Sequence, residues 1–373
     1  MLGKIGKGVL VSFVVLVICG VWVLGSAAEP PALARLSGAE KERVVKLIEG
    51  AKKEGELVAY SGGWRPDVQA IMIPKFREEY GLSESDLKIK IVSARTGAIV
   101  TKITEELRAK VYKIDLVHNG TISWFNDLIK RGEIMAYDCP EYKHFSPLVA
   151  DPKIAPAYPP YYLSHQMNAY SIVYNPKYIK EKITHWQDVL RPEYKGKISL
   201  GDVTKSFSYT EAYVALRKIL DEDYFKKLGK QEPFLLVSAS DLINKCVAGE
   251  FPIIVIGAPG TAFRANLKGA GLELVFPPAG WPAIGWPAVI LAHAPHPNAG
   301  KLFMDFIHSE VGQYILQDSG YIAGREGIKS QYPVYPKPIY QIKGNIKIDW
   351  REITDDYRDQ LREEFRRIMM KKN

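Results

Sequence analysis

Glu56-Leu57-Val58-Ala59-Tyr60, running into Ser61-Gly62-Gly63-Trp64, decides the fold. The first five residues read as a short buried strand, and Gly55 before them ends the helical spacing of Val44, Val45, Leu47, Ile48 and Ala51. The strand empties into a glycine-bearing loop ahead of a helix over 67–80, in which Pro74 predicts a kink or a restart. Such loops are where α/β proteins place ligands, because the strand's carboxyl end and the next helix's free N–H groups converge there.

Downstream the unit repeats. A strand over 88–93 leads through Arg95-Thr96-Gly97 into a helix marked by Val100, Ile103 and Leu107. A strand over 114–117 leads through His118-Asn119-Gly120-Thr121 into a helix carrying Ile122, Phe125, Leu128 and Ile129. Three successive strand-loop-helix units predict a parallel sheet. Residues 147–162, rich in Pro and Tyr, read as a connection. The alternation then resumes with strands over 169–174, 197–200, 252–256 and 272–276 and helices over 186–190, 209–220 and 241–247. Residues 277–287 hold four prolines and two tryptophans and read as a second crossing, followed by a strand over 288–292 and a helix over 298–307. Ile353, Tyr357, Leu361 and Phe365 form an amphipathic stripe that needs a surface to lie on.

The 373 residues are about twice the usual length of one domain, so two lobes are expected. Hydrophobic residues at 47%, with 21 Tyr and 7 Trp, exclude disorder as the main state. The net charge of +8 is scattered rather than gathered on one face, which argues against a nucleic-acid partner. Lys4 and Lys7 precede an uncharged stretch over 8–28 that ends in Ser26-Ala27-Ala28, the pattern of a cleaved secretory signal; an uncleaved anchor and lipidation at Cys19 are the lesser alternatives. Cys139 and Cys246 are then expected as free, buried thiols.

Enzyme signatures are missing: there is no G-x-S-x-G, H-E-x-x-H, phosphate-loop or C-x-x-C motif. Gly257-Ala258-Pro259-Gly260 reads as a turn. His293 and His296, among prolines and without a nearby acid, read as a surface loop.

Ala169-Tyr170-Ser171-Ile172-Val173-Tyr174-Asn175-Pro176, then Trp186-Gln187-Asp188-Val189-Leu190, then Pro192-Glu193-Tyr194-Lys195-Gly196-Lys197-Ile198, and the helix pair over 298–313, resemble bacterial extracellular solute-binding proteins of the ferric-iron-binding type. The likeness runs over most of residues 55–330. It implies an α/β, two-lobed type II periplasmic-binding-protein fold, each lobe a mostly parallel sheet flanked by helices, with crossing strands between them. It implies a monomeric periplasmic protein, not an enzyme and without cofactor, that hands a small-molecule solute to the permease of an ABC transporter. Residues 1–28 would be the signal, 29–54 a helical extension, 55–168 the first lobe, 169–285 the second, 286–330 the return to the first lobe, and 331–373 the C-terminal helical segment.

Ferric members of that family hold metal largely through adjacent tyrosines after the strand that here ends Ile253-Ile254-Val255-Ile256. This chain has Gly257-Ala258-Pro259-Gly260-Thr261 there, and Tyr161-Tyr162 lies in the connection instead. Fe(III) wants anionic oxygen ligands; backbone N–H groups, hydroxyls and arginines suit an anionic organic solute. The expected first-lobe ligands are Ser61, Gly62, Thr96, Gly97 and Asn119, with Trp64 as an apolar wall. Ser206, Ser208, Tyr209, Pro259 and Gly260 are expected from the second lobe, with Trp281 and Trp286 as further walls, and Arg95 and Arg325 as counter-charges. No metal ligand is expected. A ferric-iron carrier and a secreted hydrolase using Ser206 or His118 stand as the alternatives.

Overall fold

The computed structural model describes residues 28–151 and 153–370. The signal and Cys19 expected before them lie outside the described residues, among which no helix is long and apolar enough to cross a membrane.

The first sheet is built as its hydrophobic runs require. Strands β1 (Glu56–Ser61), β2 (Lys88–Ser93) and β3 (Leu116–His118) pair in parallel with β1 between the others. Pro66–Tyr80 follows β1 as one helix running through Pro74. The expected break does not occur, because Pro74 and Ala70, whose carbonyl loses its partner, are both exposed, while Val68, Met72 and Phe76 pin the opposite face in the core.

The chain then makes a small hairpin, β4 (Ala157–Tyr158) with β5 (Tyr162–Leu163), and enters β6 (Gln166–Ala169). The single strand expected over 169–174 is two: β6 ends at Ala169, and β7 (Ser171–Tyr174) begins after Tyr170 in a different sheet. The second sheet adds β8 (Ile198–Gly201), β9 (Phe234–Leu236), β10 (Ile253–Gly257) and β11 (Glu273–Val275), in the order β11-β7-β10-β8-β9. Strands β8, β9 and β10 are parallel, and β7 runs against them. Three elements here escape the sequence pattern: β9, an edge strand of three residues, the helix Pro259–Asn266, and the helix Glu222–Lys230, whose N-cap Asp221 accepts from the Tyr224 amide at 2.8 Å.

Return to the first lobe mirrors the way out. Strand β12 (Ala283–Trp286) pairs with β6; one residue later, β13 (Ala288–Ile290) pairs antiparallel with β3 in the first sheet. Strand β14 (Ile322–Ala323) completes a three-stranded crossing sheet in the order β12-β6-β14. Both lobes repeat one order: a first parallel strand between the second and third, with an antiparallel crossing strand beyond. The fold is the two-lobed α/β arrangement of periplasmic binding proteins.

Both chain ends are structural. The helix Gly38–Glu54, expected as an extension, belongs to the first lobe's core: Val44, Leu47, Ile48 and Ala51 pack with Phe303 and Phe306 of the helix Pro297–His308. An amphipathic helix this short in hydrophobic area holds only by burying its stripe. The terminal helix Asp355–Met369 finds its surface on the second lobe, where Phe365 meets the Tyr213 ring at 5.5 Å. Arg358 Nε donates to Glu211 at 2.6 Å, both side chains 2% exposed. Arg358→Ala would strand the Glu211 charge. We expect a loss of about 3–5 kcal/mol in unfolding free energy, read by chemical denaturation; an unchanged midpoint would show that the helix does not brace the lobe.

Candidate functional site

A cavity of about 220 Å³ opens where the crossing sheet meets the two lobes. Gly62, Gly63 and Arg65 come from the loop after β1, Ala169, Tyr170 and Trp286 from the crossing strands, and Gly320 and Tyr321 from the turn before β14. The second lobe adds Ser206, Ser208, Tyr209, Val237, Ala239, Ala258, Gly260, Thr261 and Arg264.

Four helices begin at this cavity. Arg65, Ser206, Ser238 and Ala258 are the N-caps of Pro66–Tyr80, Phe207–Leu216, Ala239–Ala248 and Pro259–Asn266. Three of these caps make no side-chain capping bond, so first-turn N–H groups stay open. Each start carries roughly half a positive charge. Among the described residues no Asp or Glu lines the cavity. Arg264 Nη1 donates to the Ser319 carbonyl at 2.9 Å and Nη2 to Thr261 Oγ1 at 3.0 Å, and among the described residues no carboxylate lies within 4.0 Å of it. Burial and the neighbouring Arg65 both push its guanidinium below its ordinary value. A half-buried cation without a counter-charge is poorly solvated, and an anionic ligand would supply one.

Beneath the cavity the packing is tight and neutral. Ser61 Oγ accepts from the Gly63 amide at 3.1 Å and the Trp64 amide at 2.7 Å, and meets His118 Nδ1 at 2.8 Å. Both lone pairs are used, so the hydroxyl proton goes to His118. The pair is fully buried, and it shapes the loop that presents Gly62 and Gly63; it is not a nucleophile open to the cavity. Trp64 stacks on His118 at 4.2 Å, and His165 lies 5.2 Å from His118 and 5.0 Å from His308. A Cβ on Gly63 would stand 2.8 Å from His118 Cε1, so glycine is required by close approach. Burial drives His118 down to about 3 and His308 to about 4, and His165 is lowered well below its ordinary value by burial and then by the other two.

Of the residues expected from the sequence, Gly62, Ser206, Ser208, Tyr209 and Gly260 line the cavity, as does Trp286. Ser61 and Trp64 lie below it. Thr96 is buried with its hydroxyl beside Gly62, and Asn119 spends its carbonyl oxygen on the Thr121 amide at 2.8 Å. Arg95 and Gly97 are exposed at the start of the helix Thr96–Arg108 and do not reach the cavity. Pro259 is not in a turn: it is the first residue of a helix, which is why Gly260, Thr261 and Arg264 share one face toward the cavity. Trp281 packs on Phe276 at 4.8 Å and bonds to Gly344 and Ile346, away from the site. Arg325 is bound to Glu141 and to the His308 carbonyl, so its charge is spent elsewhere. His296, expected without an acid, bonds to buried Asp115 through Nδ1 at 3.0 Å. Cys139 and Cys246 are free and buried, as expected.

Arg65 and Arg264 are cavity-lining residues that the sequence reading missed. Arg65 stands one residue past a loop already singled out, at a helix start. Arg264 was hidden because its helix opens with Ala-Pro-Gly, without a polar cap.

Two lobes, a three-stranded crossing and a cleft at the crossing define a solute-binding protein of the periplasmic type. Residues 57–322 match the family model described as bacterial extracellular solute-binding protein, and the chain belongs to that family. Among solved structures it is similar to the periplasmic binding protein AfuA from Actinobacillus pleuropneumoniae with fructose-6-phosphate bound: 22% identity, 85% of this chain and 99% of that one covered, TM-score 0.70. The substrate-binding protein of an ABC transporter from Agrobacterium tumefaciens matches at 16% identity over 86% and 97%, TM-score 0.69. Iron-bound HitA from Pseudomonas aeruginosa matches at 18% over 84% and 99%, TM-score 0.63. Comparison with curated protein sequences gives no match.

The neutral histidines have a consequence for acid stability. Their folded values lie below the usual 6.5, so the unfolded chain binds protons that the folded one refuses. Unfolding free energy should fall by about 1.4 kcal/mol per pH unit for each histidine as pH drops below about 6.5. Denaturation series at pH 7, 6 and 5 measure this; a flat profile would mean that these histidines are not buried neutral.

Proposed function

We propose that the chain is a monomeric periplasmic receptor that captures a small anionic organic solute between its lobes and presents it to the permease of an ABC importer, making and breaking no covalent bond. The observation that carries this reading is a cavity with two arginines, four helix starts and, among the described residues, no acid in its lining. Arg65 comes from one lobe and Arg264 from the other, so an anion seated between them is drawn to both, and closure follows from binding. The volume of about 220 Å³ is below the range of roughly 300–1,000 Å³ usual for drug-sized ligands. That size suits a metabolite of few heavy atoms. The fructose-6-phosphate held by AfuA is a solute of this general kind.

Tyr170 and Tyr209, whose rings meet at 5.8 Å in the cavity lining, motivate the ferric alternative. Iron needs them as phenolates. Burial pushes Tyr170 up to about 12 and Tyr209 well above its ordinary value, and two guanidinium groups nearby oppose a trivalent cation. A hydrolase using Ser206 would need a base beside it, and His118 is fully buried with its Nδ1 on Ser61 and does not line the cavity.

Mass spectrometry of small molecules released from the purified protein should find an anion. Re-adding it at about one hundred times its dissociation constant should contribute about 2.7 kcal/mol of stability. Arg264→Ala should weaken binding by about 1.5–3 kcal/mol, tenfold or more, in calorimetry. A neutral or cationic solute, or a tyrosinate-to-iron absorption band on ferric titration, would refute the anion reading.

A further inference from the structure

Trp286 stands between the cavity and the strand-end loops of the first lobe. It lines the cavity, is 4% exposed, and lies against three loop glycines. A Cβ on Gly62 would stand 2.9 Å from its Cζ3, one on Gly63 3.3 Å from its Cε3, and one on Gly120 3.1 Å from its Nε1. Side chains at these positions would hold the indole off; glycine lets it rest on the backbone. Its strand pairs it with Gln166, and its ring meets that of His118 at 5.6 Å, so it is held in place from behind.

The loop groups around the indole are polar and unspent. Asn119 gives its carbonyl oxygen to the Thr121 amide, which leaves its Nδ2 as a donor. That Nδ2, the Thr121 hydroxyl and the Trp286 N–H are buried and, among the described residues, have no hydrogen-bond partner. Thr96 Oγ1 would also stand 2.9 Å from a Cβ on Gly62, so it belongs to the same group. Thr121 is the N-cap of the helix Ile122–Lys130 and makes no side-chain capping bond. Buried polar groups are nearly always paired, and a cluster that is not calls for a partner from outside the chain. None of Thr96, Asn119 and Thr121 lines the cavity, whereas the matching helix starts of the second lobe do.

Resting on the anion reading above, we infer that Trp286 sets the size of the solute: it walls off a first-lobe subsite for hydroxyl-bearing chains, made by Thr96, Asn119 and Thr121, so the cleft takes short anions and turns away six-carbon sugar acids and sugar phosphates. The charged head meets Arg65 and Arg264 whatever the length of the body. Only the room left for the body separates one solute from another.

The test is calorimetry on the full chain with two pairs of probes, each pair sharing a head: glycolate with gluconate, and glycerol 3-phosphate with fructose 6-phosphate. Hexanoate, as long as gluconate but without hydroxyls, is the fifth probe. In the unaltered protein the long member of a pair should bind about tenfold or more weakly than the short one. Trp286→Ala should close that gap to about threefold or reverse it, and should favour gluconate over hexanoate, because the opened space offers hydrogen bonds. Trp286→Phe keeps an aromatic ring in the core and should move the ratio the same way by less; circular dichroism melts check that both variants fold. Adding Asn119→Ala to Trp286→Ala should remove the preference for gluconate over hexanoate. A merely structural role for Trp286 would shift short and long probes alike. Short anions that bind while the long-to-short ratio stays unmoved in both variants, or long probes that bind the unaltered protein as tightly as short ones, would sink the size wall alone and leave the anion receptor standing. Equal gains for gluconate and hexanoate would overturn the polar subsite. No binding of any probe at about 1 mM, or an iron band, would sink the wall and the anion reading together.

Discussion

Two strands change sheets across a single residue each. Between β6 and β7 stands Tyr170, whose amide donates to the Pro282 carbonyl at 2.9 Å; between β12 and β13 stands Pro287, whose carbonyl accepts from Asn119 at 3.3 Å. A hydrogen-bonded ladder cannot turn sharply within itself, so the change of direction falls on these two positions. They are where the chain leaves the crossing sheet for each lobe. Ala169, Tyr170 and Trp286, which flank the breaks, are also cavity-lining residues. The cavity and the passage between sheets thus share the same few residues.

Charge is distributed to match. Under the cleft, three histidines are kept neutral by burial and Ser61 is consumed in shaping a loop, so the floor adds no charge of its own. Above it, helix starts and two arginines build a positive field that the lining does not cancel. Charges elsewhere are largely spent: Arg325 on Glu141, Arg358 on Glu211, and Arg43 on Glu40 and Asp305. Arg264 has hydrogen-bond acceptors but, among the described residues, no carboxylate within 4.0 Å.

Much of this was legible in advance. β1 and its glycine loop, the alternation of strands and helices, and the return of the chain to the first lobe follow from local hydrophobic runs and turn residues, and the loop argument reached Gly62, Ser206, Ser208, Tyr209 and Gly260. It over-reached at Arg95 and Gly97, which sit at a helix start in the same way but at one that faces solvent. It failed at Trp281, because an aromatic residue in a proline-rich crossing can turn toward the cleft or, as here, toward the C-terminal segment. Gly257-Ala258-Pro259-Gly260 misled for a chemical reason: proline is favoured in turns and equally at the first position of a helix.

From the sequence by itself came the elements, their alternation, the two lobes and the family resemblance, because strand and helix formation depends on side-chain spacing along the chain. Only the tertiary structure decided which strand-end loops face one another and which charges are already compensated. Asp67 is two positions from Arg65, to which it bonds, whereas Glu141 is 184 positions from Arg325. Separations of that second kind leave no trace in local spacing. Whether a charge is free to hold a solute depends on such distances, and they exist only once the chain has folded.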